Sequence, residues 1–281
     1  DSPYRKTGCW FEFGHHSYVE MSASQFQRSH NQALSHVSVD SKDSQLHGSC
    51  EVSIILPCYN CAPFVERSFD TLCEHLDTLS SSWEIIMVDD GSEDGTWNLV
   101  QRFAQDSGCK GIRFEENRGK GKAVIAGMAE ARGKYRIFTD VDLPYRLENM
   151  SNCLERLGSE RYQAVFGNRQ HPESSIVEIS RGRRVAGRIV RFVSTFLVGR
   201  RDIDTQCGLK GFSGELADLL FPMLTIDGFL FDVELCFLLA EAGVEIRFIP
   251  VHLVNQGHST VSFLRTGSST VVDASRIKVR R

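Results

Sequence analysis

The 281-residue sequence predicts an α/β protein with a mostly parallel, Rossmann-like central sheet flanked by helices. Three observations carry that expectation. Short apolar, β-branched runs recur from residue 52 onward. Stretches with apolar residues at helical spacing lie between them. Polar loops follow the ends of the first four runs. Strand, helix, strand, helix at this spacing reads as successive βαβ units, whose strands pair in parallel.

The first strand is Val52-Ser53-Ile54-Ile55-Leu56, ended by Pro57. Residues 62–79 then place Phe64, Val65, Phe69, Leu72, Leu76 and Leu79 at helical spacing. Glu84-Ile85-Ile86-Met87-Val88 is the second strand, stopped by Asp89-Asp90-Gly91-Ser92. Thr96 is placed as the cap of a helix running to about Asp106. A third strand covers 111–114, a Gly/Lys loop follows, and a helix is expected over 122–132. The fourth strand, 135–139, ends on Asp140. The second half adds a strand at 162–166, a long basic helix near 180–199 and a strand at 245–249. Residues 1–50 are different: rich in Ser, His and Gln, without a sustained period, and with one aromatic patch at Trp10, Phe11 and Phe13. They are expected to form a poorly ordered or docking extension, leaving 51–281 as the main domain with a C-terminal tail.

Composition excludes several classes. A net charge of -4 lacks the basic excess of a dedicated nucleic-acid binder. Nine cysteines, odd in number and irregular in spacing, are not a disulfide framework. They are read as reduced, which suits a cytosolic compartment. No stretch approaches the roughly 20 apolar residues needed to span a bilayer, and the N-terminus lacks a secretory leader pattern.

Three polar loops look chemical. Asp140-Val141-Asp142 places two carboxylates just past a buried strand, where hard oxygen ligands can hold a divalent cation that bridges phosphates. Asp89-Asp90-Gly91-Ser92-Glu93-Asp94-Gly95 has the alternating oxygens of a calcium loop. Its twelfth position from Asp90 is Gln101 instead of Glu, however, and a strand precedes it, so a nucleoside contact through Asp90 fits better. Asn117-Arg118-Gly119-Lys120-Gly121-Lys122 joins backbone freedom to positive charge, as a diphosphate requires, without the spacing of a P-loop. Cys58-Tyr59-Asn60-Cys61 is formally a CxxC, but neither a redox motif nor a zinc set accompanies it. Arg181, Arg183, Arg184, Arg188 and Arg191 alternate with apolar residues, giving a basic amphipathic stretch suited to a membrane surface or a lipid phosphate.

With these pieces in place, residues 52 to about 255 resemble the family 2 glycosyltransferases. VSIILPCYN (52–60), VDDGSEDGT (88–96), NRGKGKAV (117–124) and TDVD (139–142) stand in family order. DTQCGLKGF (204–212) and FDVEL (231–235) are similar to the polyprenyl- or dolichyl-phosphate hexose synthases of that family. The resemblance implies the GT-A fold, inversion at the anomeric carbon, a UDP- or GDP-hexose donor, and Mg²⁺ or Mn²⁺ on Asp140 and Asp142. It implies that Pro57, Tyr59, Val88 and Asp90 line the nucleoside pocket, and that Lys120, Val141 and Arg169 lie along the phosphates. A polyprenyl phosphate acceptor would meet Arg181, Arg183, Arg184 and Gln206 from a peripheral position at the cytoplasmic membrane face. A saccharide hydroxyl acceptor would instead need a base, with Asp204 and Asp232 as candidates. Two positions depart from the family: Cys61 stands where Glu is usual, and Leu143-Pro144-Tyr145 differs from the commonest mannose synthase pattern.

Overall fold

The computed structural model describes residues 50–79, 81–106, 109–158, 162–175, 204–228 and 230–254, with three short strands before them. Those strands are β1 (Glu12–Phe13), β2 (Ser17–Tyr18) and β3 (Ser38–Asp40). β1 and β2 pair with each other, and β3 adds antiparallel to an edge of the main sheet. Trp10, Phe11 and the remainder of the N-terminal extension lie outside the described residues, as does the basic stretch with Arg181, Arg183 and Arg184.

The main sheet is built from β4 (Val52–Cys58), β5 (Trp83–Asp89), β6 (Lys110–Arg113), β7 (Tyr135–Phe138), β8 (Ala164–Asn168), β9 (Lys210–Ser213) and β10 (Ile246–Pro250). Between them run α1 (Ala62–Asp77), α2 (Thr96–Asp106), α3 (Lys120–Glu130), α4 (Leu147–Gly158), α5 (Gly214–Leu220) and α6 (Phe231–Glu241). The strand order is β10-β8-β9-β7-β4-β5-β6-β3. β4 pairs in parallel with both β5 and β7, β5 with β6, and β8 with β10. β9 runs antiparallel between β7 and β8.

Strand alternation explains the layers. Side chains on a strand point alternately to opposite faces. Ile55, Ile86 and Val88 fall on one face, with α3, α5 and α6. Ile54, Leu56, Ile85 and Met87 fall on the other, with α1, α2 and α4. On that second face Phe69 of α1 stacks on Phe103 of α2 with ring centroids 4.3 Å apart. Both faces of β4 and β5 are covered, so these strands read as continuous apolar runs.

Three expectations shift. α3 begins at Lys120, two residues before the expected start, because Gly119 takes a φ of 100° and launches the helix directly. It stops at Glu130, since Ala131 is extended with ψ 137°. Thr96 lies inside α2 and does not cap it; Asp94 Oδ1 receives its backbone N–H at 3.1 Å and its hydroxyl at 2.6 Å. The strand expected at 162–166 begins later, at Ala164.

The order of the strands also places the site. From β4 the chain winds outward through β5 and β6, then returns to the other side of β4 as β7. Open α/β sheets bind ligands at such a switch point, outside the carboxyl ends of the strands. Here those ends are Cys58 of β4 and, just after β7, Asp140.

Candidate active site

Two loops at the carboxyl ends of β4 and β5 are sewn together by side chains. Ser92 Oγ accepts the Asn60 N–H at 2.9 Å, Asn60 Oδ1 accepts the Glu93 N–H at 3.0 Å, and Asp94 Oδ2 accepts the Ala62 N–H at 3.0 Å. Thr96 Oγ1 accepts the Cys61 N–H at 2.9 Å. Cys61 therefore belongs to this seam. Cys58 and Cys61 are buried free thiols, and their mutual hydrogen bond together with burial pushes the Cys58 thiol well up. Such a thiol is inert. All eight cysteines among the described residues are free.

Asp90 is the buried carboxylate of the seam. It accepts the N–H groups of Arg118 at 2.7 Å and Gly119 at 2.9 Å, tying the Gly/Lys loop to the end of β5. Burial raises its carboxyl to about 6 despite those donors. Beside it Val88 is fully buried, Pro57 half-buried and Tyr59 36% exposed, so the four residues read as a nucleoside wall share one corner of the sheet edge.

Asp140 follows β7. Its Oδ1 accepts a hydrogen bond from Lys120 Nζ at 2.6 Å, and its side chain keeps 35% exposure. Burial works to raise this carboxyl, but the Lys120 ammonium outweighs it and the net effect is a lowered pKa. On the other side Gly208 presses close: a Cβ there would sit 2.1 Å from Asp140 Oδ2. Val141 is buried and Asp142 half-buried. Leu143 takes a positive φ of 45°, turning the chain sharply after the pair of aspartates.

Two more buried ion pairs stand next to this carboxylate. Arg169, just after β8, grips Asp204 with Nε at 2.8 Å and Nη2 at 2.7 Å, and adds its backbone N–H at 3.0 Å. Burial would raise the Asp204 carboxyl, but the guanidinium prevails and lowers it. Gln206 sends its own N–H to Asp204 Oδ1 at 3.2 Å, while its side-chain amide nitrogen is buried without a hydrogen-bond partner among the described residues.

The last pair is Asp232 with Lys210. Lys210 is 0% exposed; its ammonium donates to Asp232 Oδ1 at 2.6 Å and to the Cys207 carbonyl at 2.6 Å. It also lies 5.2 Å from the centre of the Phe138 ring and 5.5 Å from that of Phe166, within cation–π range. Asp232 feels burial most, which raises it, against the charges of Lys210 and Lys120. Lys210 was not singled out from the sequence. Its antiparallel strand puts it opposite Phe138 and Phe166, and only a lysine inside the short apolar-looking run 209–212 could have signalled it.

A mostly parallel sheet with antiparallel β9 inserted between β7 and β8, and an acidic turn after the strand at its switch point, make up the GT-A fold. Glucosyl-3-phosphoglycerate synthase from Mycobacterium tuberculosis superposes with a TM-score of 0.61 at 18% identity, over 94% of this chain and 84% of that one. Mannosyl-3-phosphoglycerate synthase from Rubrobacter xylanophilus gives 0.60 at 19%, over 91% and 77%.

The sequence narrows the class. Residues 53–217 match the profile of glycosyl transferase family 2, and the chain belongs to that family. It is 29% identical over 245 residues to the dolichyl-phosphate beta-glucosyltransferase of Dictyostelium discoideum, covering 82% of this chain and 74% of that protein. The Drosophila melanogaster enzyme of the same name is 32% identical over 204 residues, 68% of this chain and 63% of the fly protein.

Proposed function

We propose that this protein is an inverting hexosyltransferase that moves a hexose from UDP- or GDP-hexose to a polyprenyl or dolichyl phosphate. The observation that carries the reading is the state of the two candidate bases. Asp204 is clamped by Arg169 and Asp232 by Lys210, each in a buried, hydrogen-bonded ion pair. Against burial, the guanidinium holds Asp204 below its ordinary pKa, which makes it a weak base; burial raises Asp232, but its Oδ1 is engaged by Lys210 and its side chain is buried away from an incoming hydroxyl. A hydroxyl acceptor needs a base, whereas a phosphate monoester is already an anion at neutral pH and needs only cations to position it. The names of the relatives point to the same acceptor class.

On the donor side Asp90 accepts hydrogen bonds from the base or ribose, in the corner formed with Pro57, Tyr59 and Val88. The residues present fit a hard divalent cation. Asp140 and Asp142 are carboxylates on one turn at the sheet edge, and Asp140 is held ionised beside Lys120. An ion such as Mg²⁺ takes one or two carboxylates and completes its shell from phosphates and water. When bound, it supplies a Lewis acid for the charge that develops on the departing diphosphate. Lys120 adds a positive charge at the same place, and Arg169 lies just beyond it.

For the acceptor, Gln206 offers a donor next to Asp204 and Arg169 that has no hydrogen-bond partner among the described residues. Arg181, Arg183 and Arg184 carry the lipid-phosphate role by their sequence pattern, with a peripheral position at the cytoplasmic membrane face. No helix among the described residues is long and apolar enough to cross a membrane.

A thermal-shift panel tests the donor. UDP-, GDP- and dTDP-hexoses are added with and without Mn²⁺; a nucleotide that binds at 100 times its dissociation constant stabilises by about 2.7 kcal/mol. One nucleotide should raise the unfolding temperature, and more so with Mn²⁺. No shift with any of them would contradict the donor assignment. For the acceptor, alanine at Arg181, Arg183 and Arg184 together should raise the KM for polyprenyl phosphate while leaving the KM for the donor in place.

A further inference from the structure

Lys120 is oddly placed for a lysine. It opens α3, and a helix N-terminus disfavours positive charge. Its side chain is nevertheless only 19% exposed and ends 2.6 Å from Asp140. The charges of Asp232 and Asp142 act on it as well. Asp232 is in turn bonded to the fully buried Lys210. Negative and positive groups thus alternate through the site: Asp140, Lys120, Asp232, Lys210.

This arrangement has a consequence for any cation that seeks Asp140. The Lys120 ammonium already occupies Oδ1, and Oδ2 faces Gly208 so closely that a Cβ would not fit. A doubly charged ion arriving alone must share the carboxylate with an ammonium and sit near Lys210 and Arg169, whose charges also reach Asp140. In a partly buried site, where water screens poorly, like charges repel more strongly than at the surface. A nucleoside diphosphate reverses the balance. It brings anionic oxygens to which an ammonium can turn, and together with the ion it adds little net charge.

We propose that Lys120 is the resident cation of Asp140 in the donor-free protein, competing with the divalent metal and yielding the carboxylate only when a diphosphate arrives to receive its ammonium. The proposal rests on the donor reading above and adds a rule of assembly to it. Metal and nucleotide bind weakly apart and strongly together. By linkage, each raises the affinity of the other by the same factor.

The test is Mn²⁺ binding, followed by electron paramagnetic resonance titration of the full chain without nucleotide, with saturating UDP and with saturating GDP. Lys120→Met keeps the aliphatic stem and Lys120→Gln keeps a hydrogen-bond donor; both remove the charge. Lys134→Met, an exposed lysine just before the opposite end of β7, controls for net charge. Both Lys120 variants are expected to bind Mn²⁺ alone at least about fivefold more tightly than the wild type, and the gain from adding nucleotide should shrink by a similar factor. Lys134→Met should match the wild type. If both Lys120 variants bind Mn²⁺ alone no more tightly, while the wild type binds it with UDP or GDP, the competition is overturned and the donor reading stands. If the wild type binds no Mn²⁺ with either nucleotide, both fall together.

Discussion

The two ends of the same strands treat buried charge in opposite ways. At the amino end, Glu84 of β5 collects the Ser53 hydroxyl at 2.6 Å, the Arg132 N–H at 2.7 Å and Lys110 at 3.3 Å. Arg136 at that end donates to the Met128 carbonyl and to Asp218. These groups are fastened to backbone and to one another. At the carboxyl end, Asp140, Asp204 and Asp232 are held chiefly by the side-chain cations Lys120, Arg169 and Lys210, and the buried Gln206 amide nitrogen has no hydrogen-bond partner among the described residues. The first arrangement closes a sheet. The second concentrates three carboxylates and three cations at one place, the arrangement on which the proposed transfer relies. Sheet ends that both look polar in sequence therefore differ in purpose, and substitutions can separate them.

The largest separation comes from Asp142→Ala. Hexosyl transfer should fall by at least about 100-fold, the scale of losing a charge-stabilising group, while thermal unfolding stays near the wild type. Next is Gly208→Ala. Its new Cβ would lie 2.1 Å from Asp140 Oδ2, so the carboxylate must move. A displacement of about 1 Å in such a site costs on the order of 100-fold in kcat, readable in steady-state kinetics with no comparable loss of fold.

A smaller effect is expected from pH. Burial raises Asp90 to about 6 from an ordinary 3.8. Below about 6 the carboxylate takes up a proton and loses its capacity to accept from a nucleoside. Affinity for UDP- or GDP-hexose, measured calorimetrically, should fall by up to about tenfold per pH unit below that value, in keeping with 1.36 kcal/mol per unit. In Asp90→Asn that slope should vanish. The same shift has an opposite sign for stability. A raised carboxyl penalises the folded state above pH 6, and the penalty is relieved as pH falls from 6 toward 3.8.

At the amino end the expectation inverts. Glu84→Ala strands the Ser53 hydroxyl and the Arg132 N–H. Stability should drop by about 1–3 kcal/mol in denaturant unfolding, with kcat per folded molecule unchanged. Loss of kcat here would erase the contrast between the two ends.

Much of this was legible in the sequence, and for identifiable reasons. The strands over 52–58, 83–89 and 135–138 announce themselves because each carries a short apolar core, Ile54–Leu56, Ile85–Val88 and Ile137–Phe138, that is fully buried. The acidic and glycine-rich turns that follow them are punctuated by residues with few alternatives. Gly119 is one, since its φ of 100° is hostile to a side chain. What stayed hidden depends on contacts across long sequence separations. The direction of β9 follows from packing between β7 and β8, which no local pattern encodes. Lys210 reads as a surface residue until Asp232, from α6, is brought against it. The tie between Asp90 and the 117–119 loop uses backbone N–H groups, which carry no residue signature.

The central claim is transfer to a lipid phosphate, and product analysis tests it most directly. The full chain is incubated with radiolabelled UDP- or GDP-hexose, Mn²⁺ and, in parallel, dolichyl phosphate in detergent or a saccharide acceptor. The predicted product is a chloroform-soluble, acid-labile hexosyl phospholipid, formed only with the lipid phosphate. Label appearing on the saccharide and never on the lipid would contradict the account.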